Sequence, residues 1–471
     1  MIRTAKTQYG VVRGMPATNP RITVYRGVPF AKPPVGELRW RGPQKPDKWE
    51  GEYEAYTFKN ISVQDTPGLG DNIYVKEWSF DSEVPMGEDC LYLNIWTPAT
   101  RTDEKLPVMV WYFGGGFQWG YSYEMEFDPE NLCKKGIIVV SVTYRLGVIG
   151  FLAHPELSAR QPEDPTNFGS LDQKAGLEWV YENIAAFGGD PENISIGGQS
   201  AGGGSVLLQI THKGNYDKIK SAFIESGMIR NPFMLDSFII PQDIKKIEKR
   251  GEDFFEFIGV KTLDEARKLD AFYIRDKYAE YANTHERFAP CIDHVFCTGE
   301  PYTKLRNGDY CGCPIISGNT VDEFPTPKQF LPDDGHTPVN GIEVAVKEAG
   351  RGIYKKGLGD KLYYYRFDAD IPGPDHPGTF HSVDLWFFFE SLDKCWRPMV
   401  GRHYDLARKM ATYWTNFVKT GDPNGVDVDG TPLPEWKPCG AVRNEMEFTP
   451  NGPVAKVDTD PYVEDLMNKL P

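Results

Sequence analysis

The sequence feature that most constrains the fold is an apolar run that ends in a glycine-flanked serine, at residues 194–204. It contains the motif Gly-x-Ser-x-Gly, with Ser200 at its centre. Small neighbours allow a strand to turn sharply into a helix with the hydroxyl exposed on the turn. A hydroxyl is a poor nucleophile unless a base takes its proton and donors stabilise the oxyanion. The motif therefore predicts a histidine, an acid and an oxyanion loop elsewhere in the chain.

The segments around this serine predict an α/β fold with a mostly parallel central sheet. Near-continuous apolar runs at 108–113 and 137–142 are typical of strands buried on both faces. A segment with helical spacing follows at 171–184, and further strand-like runs stand at 222–224, 314–316 and 362–367. This alternation predicts a doubly wound sheet with helices on both faces, in a single domain spanning residues 1–471. Because residues of about 235 to 285 are charged and favour helix, we expect a helical, cap-like excursion there, near the site.

Composition limits the partners and the compartment. The formal net charge of −15, from 52 basic and 67 acidic residues, argues against nucleic acid or an anionic membrane surface as a partner. No apolar segment is long enough to span a bilayer and no apolar signal region is visible, so we expect a cytoplasmic protein with reduced cysteines. No second Cys/His pair at zinc-like spacing accompanies Cys311 and Cys313, and the predicted chemistry requires no metal or cofactor.

Three consecutive glycines at 114–116 follow the strand-like run at 108–113. Consecutive glycines let backbone N–H groups converge on one point. A nucleotide-binding loop would be followed by a Lys-Ser/Thr pair, and none follows here. We therefore predict an oxyanion hole formed by the N–H groups of Gly115, Gly116 and Ala201.

In this strand–turn–helix arrangement the base follows the serine in the chain, and the acid lies between them. Among the histidines that follow the serine, His381 stands beyond a predicted strand and before an aromatic run, with His376 and His294 as alternatives. Glu323 follows a strand that runs into a turn, where open α/β sheets hold ligand-facing groups. Its neighbour Asp322 is interpreted as a solvated or capping carboxylate.

Ordered motifs recur along nearly the whole chain, and together they resemble those of one family. They stand at residues 25–34, 88–96, 114–117, 144–147, 167–169, 172–173, 187–191, the serine turn and 420–423. The chain resembles the type-B carboxylesterases, the carboxylesterase and cholinesterase family of the α/β-hydrolase fold, and within it the bacterial para-nitrobenzyl-type esterases.

The resemblance implies a triad of Ser200, His381 and Glu323. Residues 318–323 match the family's acid motif and select Glu323 over its neighbour, and the Phe-His pair that ends at His381 matches the histidine motif. In relatives the serine that matches Ser226 supports the acid, so we expect the same here.

Other positions that match or depart from the family are informative too. Relatives commonly carry Glu where Gln199 stands beside the nucleophile, and a neutral residue there weakens the case for cationic choline esters. We group Gln199 with the residues that support the triad. No cysteine precedes Cys90, so the early disulfide of secreted animal relatives cannot form. Glu88 and Arg145 match a buried structural ion pair, and His294, where relatives usually have Gly, is interpreted as a loop residue.

The leading hypothesis is a serine hydrolase that cleaves small-molecule carboxylic esters through an acyl-enzyme. Aromatic stripes are more often core than pocket, but one set of residues is a candidate for the substrate pocket: Phe117, Gln118, Trp119, Phe233 and Trp386. Alternatives are a feruloyl-type or other aryl esterase, an amidase or thioesterase, and a catalytically silent binding or adhesion homologue. The sequence leaves the physiological ester and the oligomeric state open.

Overall fold

Strands and helices alternate along most of the chain. A computed structural model describes residues 1–228, 230, 240–323 and 339–470. Within them the strands are β1 (Thr4–Lys6), β2 (Val11–Arg13), β3 (Met15–Pro16), β4 (Thr23–Pro29), β5 (Glu52–Glu54), β6 (Tyr92–Thr97), β7 (Leu106–Tyr112), β8 (Ile138–Val142), β9 (Gly189–Gln199), β10 (Ser221–Glu225), β11 (Ile315–Thr320), β12 (Leu362–Phe367), β13 (Asn444–Thr449) and β14 (Gly452–Val457).

The helices of the same described residues vary from single turns to five turns. They are α1 (Ile73–Glu77), α2 (Glu130–Lys134), α3 (Gly147–Phe151), α4 (Pro155–Arg160), α5 (Phe168–Asn183), α6 (Ala201–Thr211), α7 (Ile244–Phe257), α8 (Leu263–Arg267), α9 (Ala271–Tyr281), α10 (Pro301–Arg306), α11 (Gly341–Lys355), α12 (Leu385–Phe388), α13 (Gly401–Thr420) and α14 (Pro461–Lys469). No helix in this part of the chain combines the length and the apolar character needed to cross a membrane.

Two compact units make up the chain. The first contains Met1–Glu124, Ile138–Glu192 and Phe238–Pro301, and the second contains Met125–Ile137, Asn193–Ser237 and Tyr302–Pro471. The second unit contains β9 from Asn193 onward, and there β9, β10, β11, β12 and β13 pair in that order, all parallel, while β14 adds an antiparallel edge. Every residue of β10 and β11 is buried, as expected for strands of a parallel sheet that is covered on both faces.

In the first unit β7 and β8 pair in parallel, and β8, β6, β4 and β3 continue in that order with antiparallel pairing. A smaller sheet pairs β2 with β1 and β5. The strands β7 and β8 form at the apolar runs 108–113 and 137–142. Valine and isoleucine, which are frequent in these runs, favour the extended conformation of buried strands. The prediction of an α/β fold with a largely parallel sheet is confirmed.

The charged segment expected to be helical contains α7, α8 and α9. Each of these helices begins at a residue whose side chain accepts from a first-turn N–H, namely Asp243, Thr262 and Asp270. The beginning of the segment, residues 235–239, lies outside the described residues. That the whole chain acts as one domain, and that these helices cover the site, stay predictions.

Candidate active site

Ser200 lies on a sharp turn between strand β9 and helix α6. Its backbone angles are φ 57° and ψ −123°, a conformation that residues other than glycine rarely adopt. Its N–H donates to the carbonyl oxygen of Glu225 at 2.8 Å, which ties the turn to the neighbouring strand β10. Ala201 is the first residue of α6, and first-turn N–H groups have no partner within their own helix. Strain of this kind persists where the surrounding structure enforces it, and it is common at functional sites.

Helix α6 packs closely against the chain that follows β10. The contact is formed by two glycines, Gly203 and Gly227. A β-carbon on Gly203 would lie 2.9 Å from the Glu225 carbonyl oxygen and 2.9 Å from the Gly227 Cα. One on Gly227 would lie 2.6 Å from backbone atoms of Gly203. Gly203 stands just after the Gly-x-Ser-x-Gly motif, so the close packing that supports the turn extends beyond the motif itself.

The predicted base and acid are hydrogen-bonded to one another in the second unit. His381 Nδ1 bonds to Glu323 Oε2, and both side chains are buried. The other carboxylate oxygen accepts from the Ser226 hydroxyl and, at 3.0 Å, from the Thr320 N–H. Burial alone would raise the pKa of Glu323, but the electrostatic interaction with His381 and the three hydrogen bonds outweigh burial and hold this pKa below its usual value. Glu323 is therefore ionised at neutral pH.

The second ring nitrogen of the histidine lies beside the serine turn. His381 Nε2 is 3.2 Å from Nε2 of Gln199, the residue directly before Ser200. Because Nδ1 donates its proton to Glu323, Nε2 carries the lone pair and accepts from the Gln199 amide. A neutral imidazole with its lone pair on this side can take a proton from the serine hydroxyl.

Asp322, which the sequence analysis interpreted as solvated or capping, joins the loop of the acid to the loop of the base. Its Oδ2 accepts from the Thr379 N–H at 2.8 Å and from the Thr379 hydroxyl at 3.2 Å. Its own N–H donates to the Thr379 carbonyl oxygen at 3.2 Å, and Asp322 forms a parallel bridge with Phe380. Only its position next to Glu323 marks it in the sequence, because its partner Thr379 is 57 residues away.

Two further buried acids lie in the same unit, and the sequence analysis gave neither a role. Glu225 Oε1 accepts from Trp414 Nε1 at 2.9 Å, and Asp384 Oδ2 accepts from the Tyr365 hydroxyl at 2.8 Å. The other oxygen of each carboxyl group has no hydrogen-bond partner among the described residues. Burial, with a contribution from Asp384, raises the pKa of Glu225 well above its usual value, and burial raises the pKa of Asp384 to about 6. Burial therefore shifts Glu225 toward its protonated, neutral form.

In the first unit the glycines at 114–116 turn the chain away from strand β7. Gly115 and Gly116 have φ 104° and 61°, and a β-carbon on Gly115 would lie 2.1 Å from the Trp119 carbonyl oxygen. The Gly115 carbonyl accepts from the N–H groups of Gln118 and Trp119, at 2.9 and 3.1 Å. Within the described residues the N–H groups of Gly115 and Gly116 donate to no acceptor. The loop therefore has the open donors that an oxyanion hole requires, and its assignment stays a prediction.

Two of the candidate pocket residues are buried in the first unit. Phe117 is 2% exposed and packs edge-to-face against Phe151, with ring centroids 5.4 Å apart. Gln118 donates from its amide to the Phe288 carbonyl oxygen at 2.7 Å, and its amide oxygen accepts from the Tyr278 hydroxyl at 2.9 Å. Both side chains therefore stabilise the fold, and their predicted contact with substrate would be an additional role.

The remaining pocket candidates differ in exposure. Trp119 is 44% exposed, and the Arg287 guanidinium lies 5.2 Å from the centroid of its ring. Trp386 is fully buried in α12. Phe233 lies outside the described residues. The role of each in substrate binding stays a prediction.

The alternative histidines lie on the surface. His376 is exposed, and His294 is an exposed residue with φ 63° whose Nε2 is 2.8 Å from an Asp243 carboxylate oxygen. Neither has the buried carboxylate partner that His381 has.

The expected ion pair between Glu88 and Arg145 is not formed. Arg145 donates to both Asp172 oxygens, at 2.7 and 2.8 Å, and Glu88 instead accepts from Arg39 at 2.5 and 2.7 Å. Both residues are architectural, as expected, but each has a different partner. The acids that could pair with these arginines are spread along the sequence of this unit, and sequence alone does not reveal which of them faces a given arginine.

One group of three carboxylates in the described part of the chain is close enough to hold a metal ion: Glu343, Glu445 and Asp458. The Lys347 ammonium already lies among them, 2.5, 2.9 and 2.9 Å from one oxygen of each. These carboxylates therefore neutralise a buried lysine, whose pKa they raise despite its burial.

Comparison with known proteins agrees with this architecture. The carboxylesterase family model matches residues 2–346 and 342–462. The chain is 30% identical to a para-nitrobenzyl esterase of Bacillus subtilis (strain 168), over 89% of this chain and 90% of that protein. It is 29% identical to a mouse cholinesterase, over 91% and 80% of the two chains. The crystal structure of a Geobacillus stearothermophilus carboxylesterase superposes with a TM-score of 0.81 at 27% identity, covering 99% of this chain and all of the other.

The fold is that of the α/β hydrolases. The chain belongs to the carboxylesterase family, and carboxylic ester hydrolysis is its class of activity.

Proposed function

We propose that the protein hydrolyses small-molecule carboxylic esters through a Ser200–His381–Glu323 triad and an acyl-enzyme. One observation carries the proposal: the buried hydrogen bond from His381 Nδ1 to Glu323 leaves Nε2 facing the turn that holds Ser200. A histidine oriented in this way by an ionised carboxylate is the general base that a serine nucleophile needs.

In the proposed reaction the Ser200 hydroxyl oxygen attacks the ester carbonyl while His381 Nε2 accepts its proton. Glu323 stabilises the resulting imidazolium. His381 then donates that proton to the leaving alcohol, and the acyl group remains on the serine. Water, deprotonated by the same nitrogen, attacks the acyl-enzyme, and collapse of the second tetrahedral intermediate releases the acid.

The proposed oxyanion donors are the N–H groups of Gly115, Gly116 and Ala201. Support comes from the open N–H groups of the glycine loop and from the position of Ala201 at the first turn of α6. Removal of one such donor lowers the rate by about 10²–10³-fold in other enzymes. Because these are backbone groups, substitution tests them only indirectly.

The nucleophile is tested by substitution together with a covalent probe. We expect Ser200→Ala to lower kcat on a para-nitrophenyl ester by about 10⁴–10⁶-fold, and to abolish labelling by an organophosphonate. The matched control is Ser205→Ala on the same helix, whose hydroxyl donates to the Ala201 carbonyl at 2.9 Å and which we expect to change kcat less than about threefold.

Retention of turnover in Ser200→Ala would contradict the mechanism, and an inactive, unlabelled wild-type protein would point to the binding-homologue alternative. Hydrolysis rates on an ester, an amide and a thioester that share the same acyl group then show which leaving group the enzyme prefers.

A further inference from the structure

Cys311 and Cys313 lie on the loop between helix α10 and strand β11, with one glycine between them. All eight cysteines, each among the described residues, are free thiols. Gly312 has φ 75°, so the chain turns between the two cysteines in a left-handed conformation. A β-carbon on Gly312 would meet no atom within 4 Å, so the outer side of the turn is open.

The two thiols are already neighbours and are not equivalent. Only Gly312 separates them in the chain and they interact electrostatically, with Cys311 half-buried and Cys313 buried. The neighbouring Cys313 thiol lowers the pKa of Cys311, and the Lys361 ammonium, which donates to the Gly312 carbonyl at 2.8 Å, acts in the same direction. The pKa of Cys313 is raised by the neighbouring Cys311 and by burial. An accessible thiol beside a cation is the more reactive kind, and here that thiol is Cys311.

The tyrosine directly before Cys311 carries a buried hydroxyl group. Tyr310 is 5% exposed, and its hydroxyl has no hydrogen-bond partner among the described residues. Both thiols raise the pKa of Tyr310, after burial, so the phenol is within electrostatic reach of them. A donor in this position can hydrogen-bond to a sulfur anion.

We propose that Cys311 and Cys313 form a redox-active dithiol that low-molecular-weight disulfides convert into an intramolecular disulfide. The Cys311 thiolate attacks one sulfur of the small disulfide, forms a mixed disulfide and expels one thiolate. Cys313, deprotonated, attacks the Cys311 sulfur and expels the second. Two protein protons go to the two released thiols, so the protein pair is oxidised by two electrons and the small disulfide is reduced by two.

The other cysteines lack this combination. Cys291 also has a cysteine in electrostatic contact, Cys297, but both are buried, and burial raises the pKa of Cys291 well above its usual value. Cys395 is half-buried like Cys311, but the nearest cysteine in the sequence is Cys439. The chain thus offers a buried pair and a half-buried single cysteine as internal comparisons.

The test is a redox titration of the folded, full-length protein in glutathione buffers at pH 7, quenched with N-ethylmaleimide and followed by peptide mass spectrometry. We expect the peptide with residues 311–313 to lose both alkylation sites together and to recover them on reduction. Cys311 should react with glutathione disulfide at least about tenfold faster than Cys395. Cys313→Ser should accumulate a stable mixed disulfide with glutathione at Cys311, whereas Cys311→Ser should leave Cys313 unmodified.

Cys395→Ser is the control and should leave the titration unchanged, while Lys361→Gln should slow the first step by about threefold or more. Equal reaction rates at Cys395 and Cys311, or a mixed disulfide of equal lifetime in wild type and Cys313→Ser, would overturn the proposal. So would wild-type protein that keeps both alkylation sites at every glutathione ratio. The wild-type measurements decide the matter even if a variant fails to fold.

Discussion

Two buried glutamates of the second unit occupy similar places, and their pKa values are shifted in opposite directions. Glu225 ends strand β10 and Glu323 follows strand β11, its parallel neighbour. Both side chains are removed from water, but Glu323 receives three hydrogen bonds and faces His381, whereas Glu225 receives one, from Trp414. The pKa of Glu323 is lowered, and that of Glu225 is raised. Burial alone therefore does not decide whether a carboxyl is charged; the donors around it do.

The largest expected difference in kcat comes from replacing each glutamate with glutamine in turn. Glu323→Gln should lower kcat by about 10³–10⁴-fold, because a neutral amide neither stabilises the imidazolium nor fixes its tautomer. Glu225→Gln should change kcat less than about threefold, since the Glu225 carboxyl is bonded to Trp414 and not to a member of the triad, and glutamine has the same shape. Steady-state kinetics with a para-nitrophenyl ester measures both. Equal losses in the two variants would break the comparison.

Removing one donor should make Glu323 more like Glu225. In Ser226→Ala the carboxylate loses the hydroxyl hydrogen bond, so we expect kcat to fall by about tenfold and the loss of activity on acidification to begin at higher pH. The pH profile of kcat/KM measures the shift. Tyr365→Phe, which removes the donor to Asp384, is the control, and an identical pH profile in Ser226→Ala and wild type would show that the donor does not tune Glu323.

The effect of a carboxylate on His381 can also be tested from the side of Nε2, opposite Glu323. Gln199→Glu would put a carboxylate near His381 Nε2, where the amide now lies at 3.2 Å, and would stabilise the imidazolium. We expect the acid limb of the kcat/KM profile to move to higher pH by about one unit. Gln199→Leu removes the donor without adding charge and should not move the limb in that direction. An unmoved limb in Gln199→Glu contradicts the close approach of the two side chains.

The smallest effect concerns stability. Because the pKa of Glu225 is raised in the folded protein, its contribution to stability is complete below the unfolded-state pKa of about 4.3 and is lost as the pH rises toward the folded-state value. Glu225→Gln cannot ionise, so its melting temperature relative to wild type should rise by about 1–3 °C between pH 5 and pH 8.

The pKa shift of Glu323 changes stability with pH in the opposite direction. Its lowered pKa stabilises the fold above the unfolded-state value, and this contribution is lost as the pH falls. The advantage of wild type over Glu323→Gln should therefore shrink on acidification. Thermal unfolding at a series of pH values measures both trends, and parallel trends for the two variants would contradict the opposite directions of the two pKa shifts.

The sequence predicted the elements better than it predicted the polar contacts. The strands at 108–113 and 137–142 and the helix at 171–184 follow from local apolar patterns, and the structure has them within a few residues. Ser200 follows from its motif, and the family resemblance selected His381 and Glu323, which the structure brings together.

The partners of Arg145 and the protonation of Glu225 depend instead on which distant side chains meet after folding. Asp172 is 27 residues from Arg145, and Trp414 is 189 residues from Glu225. No local pattern encodes such distances. Asp322 is exposed and accepts from a backbone N–H, in agreement with a solvated or capping carboxylate, but its partner Thr379 lies in another loop and could not be predicted.

The glycine contact beneath the serine turn limits how this enzyme can be engineered. Gly203 and Gly227 sit so close that any side chain on either would push helix α6 and the chain after β10 apart. Libraries that vary these two positions will consist mainly of inactive members, whatever residue they introduce. Trp119 is a better position to vary, because its ring is 44% exposed.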